Sequence, residues 1–354
     1  MVLALTLASS LTCNQYMCSP ASVPLDAETC AYGVESGTGA TTVYLQECED
    51  QEFSYCPPLT EAGNSTCEVP PSAPLYSSSA PGEPCELDMD CIQEGICTGG
   101  ICENPGNICT NQLSCDPGKY CNVTTAAGPW TCVPQVGPGD NCTADYMCPN
   151  AYGCTQDKGC VKYLSIGPTM QVDSCTTGVN YLCQFLRCYS DRHGTYCAAN
   201  LTSATVPLSC HSSNNCVVYS NGHNYTGSCE CSYGTMGRSY CSLFPGDYPY
   251  SQFVALLQNW LASPAINSCN TARRTAVPCI TYYLPANQSA AFLYYYYFSS
   301  DFPAIQDMDQ CARTVYDQSY WSAFQVYTSS TPNNTQNEAG VRLQVAALVV
   351  LLAW

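Results

Sequence analysis

Basic residues are scarce in this chain. Its 354 residues include 10 Lys and Arg against 28 Asp and Glu, a net charge of −18, and the first basic residue is Lys119. Nothing can neutralise a run of phosphates, so nucleic acid is excluded as a partner, and so is a polybasic membrane-surface role. Histidine is equally rare, with only His193, His211 and His223, too far apart for an H-x3-5-H pair. No C-x2-C spacing occurs, although structural zinc sites rely on it. A G-x-S-x-G elbow, an H-E-x-x-H helix and a phosphate-cradling glycine loop are also missing. His193 and His211 stand alone among cysteines and are expected to be loop histidines rather than catalytic bases. The chain therefore reads as a non-enzyme with no cofactor and no metal.

What the chain has instead is cysteine. Thirty cysteines are enough for fifteen bridges, which a reducing cytosol would not keep, so the expected compartment is secretory or extracellular. Asn-x-Ser/Thr acceptors at Asn64, Asn122, Asn141, Asn200, Asn224, Asn287 and Asn333 fit a glycosylated exported protein.

Both ends carry export-like patterns. Val2 to Ala8 is a short apolar stretch followed by small residues, as in a secretory signal peptide spanning 1–12, though without a positive start. Leu343 to Trp354 is apolar but shorter than the roughly 20 residues a spanning helix needs. A polar spacer, Pro332 to Arg342, precedes it, and before that stands the small triplet Ser329-Ser330-Thr331. Triplet, spacer and tail together form the pattern of a GPI-attachment signal over 329–354, with Ser330 as the lipidation site. Asn333-Asn334-Thr335 is a second candidate triplet. The expected location is the outer face of the plasma membrane, held by a lipid anchor, with plain secretion as the alternative.

Between the ends the composition changes in blocks. Residues 13–68 form an acidic segment with six cysteines, expected to be a small disulfide-bonded domain. Residues 69–82, VPPSAPLYSSSAPG, read as a Pro/Ser linker. An internal repeat follows over 83–162. Its cysteines are Cys85, Cys91, Cys97 and Cys102; then Cys109, Cys115, Cys121 and Cys132; then Cys142, Cys148, Cys154 and Cys160. Five residues separate the first three cysteines every time, and Gly82, Gly106 and Gly139 stand three positions before each unit. Such units hold too few large apolar side chains to offset chain entropy, and two bridges per unit would supply the constraint. Regular repetition predicts an elongated array in which each module touches mainly its neighbours. Residues 163–244 carry further cysteines in a changed register, which predicts looser modules rather than copies.

Residues 245–328 differ again, being rich in aromatics and holding only Cys269, Cys279 and Cys311. The spacing of Tyr250, Phe253, Leu256, Leu257, Trp260 and Leu261 predicts a helix over roughly 249–262, stopped by Pro264. For Ala286 to Phe298, periodicity leaves helix and strand both open. An odd number of cysteines needs a partner from outside the segment, and Cys241 is the nearest. The fold class expected is thus small disulfide-rich tandem modules of short strands and loops, plus a C-terminal aromatic-rich, α-containing domain.

Two features could contact a ligand. The acidic cluster Glu86, Asp88, Asp90 and Glu94 lacks the D-x-D-x-D-G loop and closing Glu of an EF-hand, so a solvated acidic face is expected rather than a calcium site. The run Tyr294–Tyr297 offers an amphipathic surface suited to adhesion or glycan contact, unless half of it faces a core.

The segments GEPCELDMDCIQEGICTGGIC, GNICTNQLSCDPGKYC and GDNCTADYMCPNAYGCTQDKGC resemble the Dickkopf N-terminal type of cysteine-rich region and related EB-like modules. Similar repeats occur in surface proteins of ciliates and other protists. The resemblance implies a disulfide module and no particular activity. The receptor antagonism of animal Dickkopf proteins needs a second cysteine-rich domain that has no match here. The function expected is a structural coat or adhesion spacer contacting surface glycans or coat proteins. A ligand-binding or signalling module using the C-terminal domain is the alternative, with a protease inhibitor behind it.

Overall fold

The structure, a computed structural model, describes residues 12–312 apart from 21–24, 27, 38, 49–55, 69–78, 93–94, 105, 124–129, 156, 158, 176–180, 203–207, 221 and 310. The signal-peptide stretch 1–11, most of the linker, Glu94, Asn333, Ser330 and the whole segment 313–354 lie outside the described residues.

All thirty cysteines pair, and none is free. Twelve of the fifteen bridges fall into six four-cysteine units, and each unit pairs its first cysteine with its third and its second with its fourth. The three repeats do so through Cys85–Cys97 and Cys91–Cys102, Cys109–Cys121 and Cys115–Cys132, and Cys142–Cys154 and Cys148–Cys160. So do Cys175–Cys188 with Cys183–Cys197, and Cys210–Cys229 with Cys216–Cys241. Cys30–Cys56 with Cys48–Cys67 follow the same order. The changed register after residue 163 thus hides unchanged connectivity. Spacing varies because loops of different length close at nearly equal entropic cost.

The N-terminal segment is a four-stranded sheet of order β1-β3-β2-β4. Its strands are β1 (Gln15–Cys18), β2 (Thr29–Glu35), β3 (Thr41–Leu45) and β4 (Gly63–Thr66). Ala31, Val43, Leu45 and Ser65 point inward and are buried, while Tyr32 and Val34 alternate outward, as the period of two requires.

The repeats share one plan. A 3-10 turn precedes the second cysteine, and a small antiparallel sheet carries the third and fourth opposite each other. The strands are β5 (Ile96–Thr98) with β6 (Ile101–Glu103); β7 (Ile108–Cys109), β8 (Lys119–Asn122) and β9 (Trp130–Pro134); and β10 (Tyr152–Thr155) with β11 (Gly159–Lys162). Cys97 faces Cys102, Cys121 faces Cys132, and Cys154 faces Cys160. The next module has β12 (Gln171–Val172), β13 (Cys188–Asp191) and β14 (Gly194–Cys197), with Cys188 opposite Cys197. The last inserts the hairpin β15 (Val217–Ser220) and β16 (His223–Thr226) before β17 (Cys229–Cys231) and β18 (Ser239–Cys241), and sets Cys229 opposite Cys241.

The C-terminal aromatic region is helical: α1 (Tyr248–Ala262), α2 (Val277–Tyr283), α3 (Ala286–Ser300) and the short α4 (Phe302–Ile305). Helix α1 ends at Ser263, whose hydroxyl accepts from the Ala265 N–H at 3.2 Å just past Pro264. Pro285 stands at the start of α3. Helix α3 lies between two cores, which explains the absence of a clear polar face. Phe292 packs with Trp260, Leu257 and Ile280 of α1 and α2. Tyr294 and Tyr295 pack on the other side with Val43 and Leu45 of the N-terminal sheet.

Three bridges fall outside the repeating plan. Cys269–Cys279 closes a loop inside the helical region. Cys13–Cys231 and Cys18–Cys311 tie β1 to the last module and to the end of the described chain. The outside partner for the odd cysteine is therefore Cys18, because Cys241 is engaged with Cys216.

Replacing Cys18 and Cys311 together by Ala is expected to lower stability by about 2–5 kcal/mol. Hydrogen exchange should quicken in β1 to β4 and stay slow in the repeats; unchanged exchange in β1 would show that packing alone holds the sheet.

Candidate functional site

The repeat cysteines are placed by two side chains that spacing alone does not reveal. The residue just before the second cysteine accepts backbone N–H groups from the turn it closes. Asp90 Oδ2 takes those of Glu86 and Leu87, both at 2.9 Å. Ser114 Oγ takes those of Thr110 and Asn111 at 3.3 Å, and Asn215 Oδ1 takes those of His211 and Ser212. The residue three before the second cysteine binds the N–H of the third. Asp88 holds Cys97 at 2.8 Å, Gln112 holds Cys121 at 2.9 Å and Asp145 holds Cys154 at 2.7 Å.

The acidic cluster is thus partly accounted for. Asp88 and Asp90 spend carboxylate oxygens on backbone donors, and the Leu87 and Glu86 N–H groups hold the Asp90 carboxyl below its ordinary value. Among the described residues, three cysteine sulfurs come within 4.8 Å of one another in at least five units, a spacing that could hold a metal ion. Every one of them is in a disulfide, so the thiolate ligands such a site needs are gone.

The first three repeats do not touch only their neighbours. Each docks on the segment 266–283 through a buried polar seam. In the first, Tyr283 donates to the Gly82 carbonyl at 2.7 Å. In the second, Asn270 Nδ2 donates to the carbonyls of Leu113 and Cys115 at 3.2 and 2.6 Å. In the third, Asn150 Nδ2 donates to the carbonyls of Ile266 and Cys269 at 2.7 and 2.8 Å. Gln135 Nε2, from the link before that repeat, reaches Thr271 Oγ1 at 2.8 Å. Arg274, only 4% exposed, donates to the Thr271 and Asp145 carbonyls and to the Tyr163 hydroxyl, with its guanidinium over the Tyr163 ring. Burial pushes the Tyr163 phenol up to about 12, against the pull of Arg274. The hydrogen-bonding groups of Asn150, Asn270, Gln135 and Arg274 reach acceptors on the facing segment, so these contacts hold modules together.

Gly82 shows how close that contact is. Its φ is +89°, and a Cβ there would stand 2.3 Å from the Ser268 carbonyl oxygen and 2.7 Å from Pro117 Cγ. Next to it, Glu83 is buried and accepts the Ala80 N–H at 2.7 Å. Its other oxygen stands 3.9 Å from Arg273 Nε, and neither atom has a hydrogen-bond partner. Burial pushes the Glu83 carboxyl above its ordinary value, while the Ala80 N–H and then Arg273 pull it down.

The tyrosine run is not a surface. Tyr294 and Tyr295 are buried, and Tyr296 and Tyr297 are half-buried, with Tyr296 against Phe253 and Phe292. Among the described residues, the exposed tyrosines are Tyr32, Tyr219 and Tyr282. His193 sits in the turn between β13 and β14, where it accepts from Arg192 Nε at 2.9 Å. His211 precedes the 3-10 turn of the last module, and His223 opens β16. Of the described acceptor asparagines, Asn64, Asn141, Asn200, Asn224 and Asn287 are exposed and Asn122 is half-buried. Compared with known proteins, the chain matches no family model, no curated protein and no solved structure.

Gly82→Ala should lower stability by about 1–3 kcal/mol, because both the backbone angle and the Ser268 contact oppose a Cβ. A urea midpoint equal to that of the parent would show that the seam yields easily. Glu83 binds its proton more tightly folded than unfolded, so its contribution is full at low pH and is lost as pH rises through the folded value. Glu83→Gln keeps an acceptor for Ala80 without the charge. Its stability relative to the parent should therefore improve from about pH 4 to pH 7, and a flat difference would refute the burial effect.

Proposed function

We propose that this chain is a secreted, glycosylated, GPI-anchored cell-surface protein that serves as a structural coat or adhesion spacer. The complete pairing of thirty cysteines into fifteen bridges carries this reading, since such bonding fits an extracellular or secreted protein. Six units of one connectivity, locked by sulfur and docked on a helical region, make a rigid body suited to holding a distance from a surface. The three repeats are proposed to be of the Dickkopf N-terminal or EB-like kind, serving as modules and not as receptor antagonists. The low count of basic groups leaves an acidic exterior that repels other acidic coats and gathers cations diffusely. No helix among the described residues is long and apolar enough to cross a membrane. Attachment is assigned to a lipid at or near Ser330, replacing the apolar stretch that follows.

The alternative of a ligand-binding module built on the C-terminal tyrosines loses its main support, because Tyr294 and Tyr295 are buried in the core. The reading is tested on intact cells displaying the protein. Phosphatidylinositol-specific phospholipase C should release it into the medium with its disulfides intact. Retention on the cells after treatment would overturn the anchor, and mostly free thiols in the released material would overturn the extracellular assignment.

A further inference from the structure

Two of the acceptor asparagines face an exposed tyrosine directly across a sheet. In the N-terminal sheet Asn64 on β4 lies opposite Tyr32 on β2, and Tyr32 in turn lies opposite Tyr44 on β3, which faces Met17 on β1. Residues directly opposite share a face, so Asn64 stands at the end of a row running Asn64, Tyr32, Tyr44, Met17. In the last module Asn224 on β16 lies opposite Tyr219 on β15, and Thr226 lies opposite Val217. Tyr219 is 73% exposed, the highest value among the exposed large apolar side chains of the described residues. In each acceptor triplet the asparagine and threonine are exposed; the middle residue points inward, buried at Ser65 and half-buried at Tyr225. Both asparagines lie on strands with one side unpaired among the described residues, since β4 ends its sheet and β16 belongs to a two-stranded one.

From this juxtaposition we infer that Asn64 and Asn224 carry N-linked glycans whose first sugars lie on Tyr32 and Tyr219. The inference rests on the secretory reading above and adds where the sugar goes. In transfer, the Asn Nδ2 forms a bond to the anomeric carbon of an oligosaccharide carried on a polyprenyl diphosphate. The bond from that carbon to the diphosphate oxygen breaks, the lipid diphosphate leaves, and the amide gives up one proton. Transfer acts on the triplet, and the fold then sets where the sugar rests. Cβ atoms of directly opposed residues are about 5 Å apart, which brings a sugar on the asparagine within reach of the neighbouring ring. The C–H bonds on one face of a pyranose are weakly positive, and the aromatic face is negative, so the two attract. The same sugar shields apolar surface that the bare chain leaves in water, and it blocks the free strand side against pairing with another chain.

The full chain is secreted from a eukaryotic cell line, its glycosylated asparagines are mapped by mass spectrometry, and the native protein is nitrated with tetranitromethane. Asn64 and Asn224 should both be modified. Asn64→Gln should speed nitration of Tyr32 several-fold and leave Tyr219 unchanged, and Asn224→Gln should do the reverse. Thr66→Ala and Thr226→Ala remove the same glycans by a second route, and must give the same pattern. Glycans present at both sites with unchanged nitration rates would overturn the stacking. Occupancy elsewhere but not at Asn64 or Asn224 would overturn the inference while leaving the glycosylated-surface reading intact. No occupied site at all would overturn both.

Discussion

Pairs of disulfides packed against each other take the place of an apolar interior in each small module. Cys109, Cys115 and Cys121 are all but fully buried and make up the centre of the second repeat, with Trp130 and Cys132 beside them. A loop of about a dozen residues loses several kcal/mol of unfolded-state freedom when bridged. Crossing two such loops in the order first–third, second–fourth fixes a fold from residues that could not collapse by burial alone. The turn before the second cysteine and the strands carrying the third and fourth exist to bring four sulfurs to one place.

This constraint has a consequence for surfaces. With sulfur at their centres, the modules can spend polar side chains on one another. Asn150, Asn270 and Arg274 are buried yet bonded to backbone carbonyls of a different part of the chain. Hydrogen bonds to backbone carbonyls are directional, so they set the position of each repeat where apolar contacts would let it slide. The aromatic helices supply the large burial the modules lack. Trp260 and Phe292 fill one core, and Tyr294 and Tyr295 join the other to the N-terminal sheet. Two long-range bridges then close the chain upon itself, Cys13–Cys231 and Cys18–Cys311.

Much of the fold was legible in residues read in order. Five-residue gaps marked the repeats, and the spacing of Tyr250, Leu257 and Trp260 marked α1, because a helix returns to the same face every 3.6 residues. The tyrosine run was harder. Four consecutive tyrosines suggest exposure to any reading that assumes one buried face, whereas α3 has two. The acidic cluster is a surface feature with a second role, since Glu86 and Asp88 are exposed. Asp88 and Asp90 turned out to close a turn, and the signal was there in the repeated placement of Asp88, Gln112 and Asp145 three residues before a cysteine. That pattern crosses residue types, so it is visible as chemistry and not as identity.

The order of amino acids by itself determined the oxidised state, the modular repetition and the scarcity of positive charge, since each depends on composition and local spacing. Only the tertiary structure decided which cysteines are partners, which asparagine faces which tyrosine, and that Gly82 meets Ser268. These are contacts between residues distant along the chain or offset across a sheet, and their choice depends on how separate elements fit together in space.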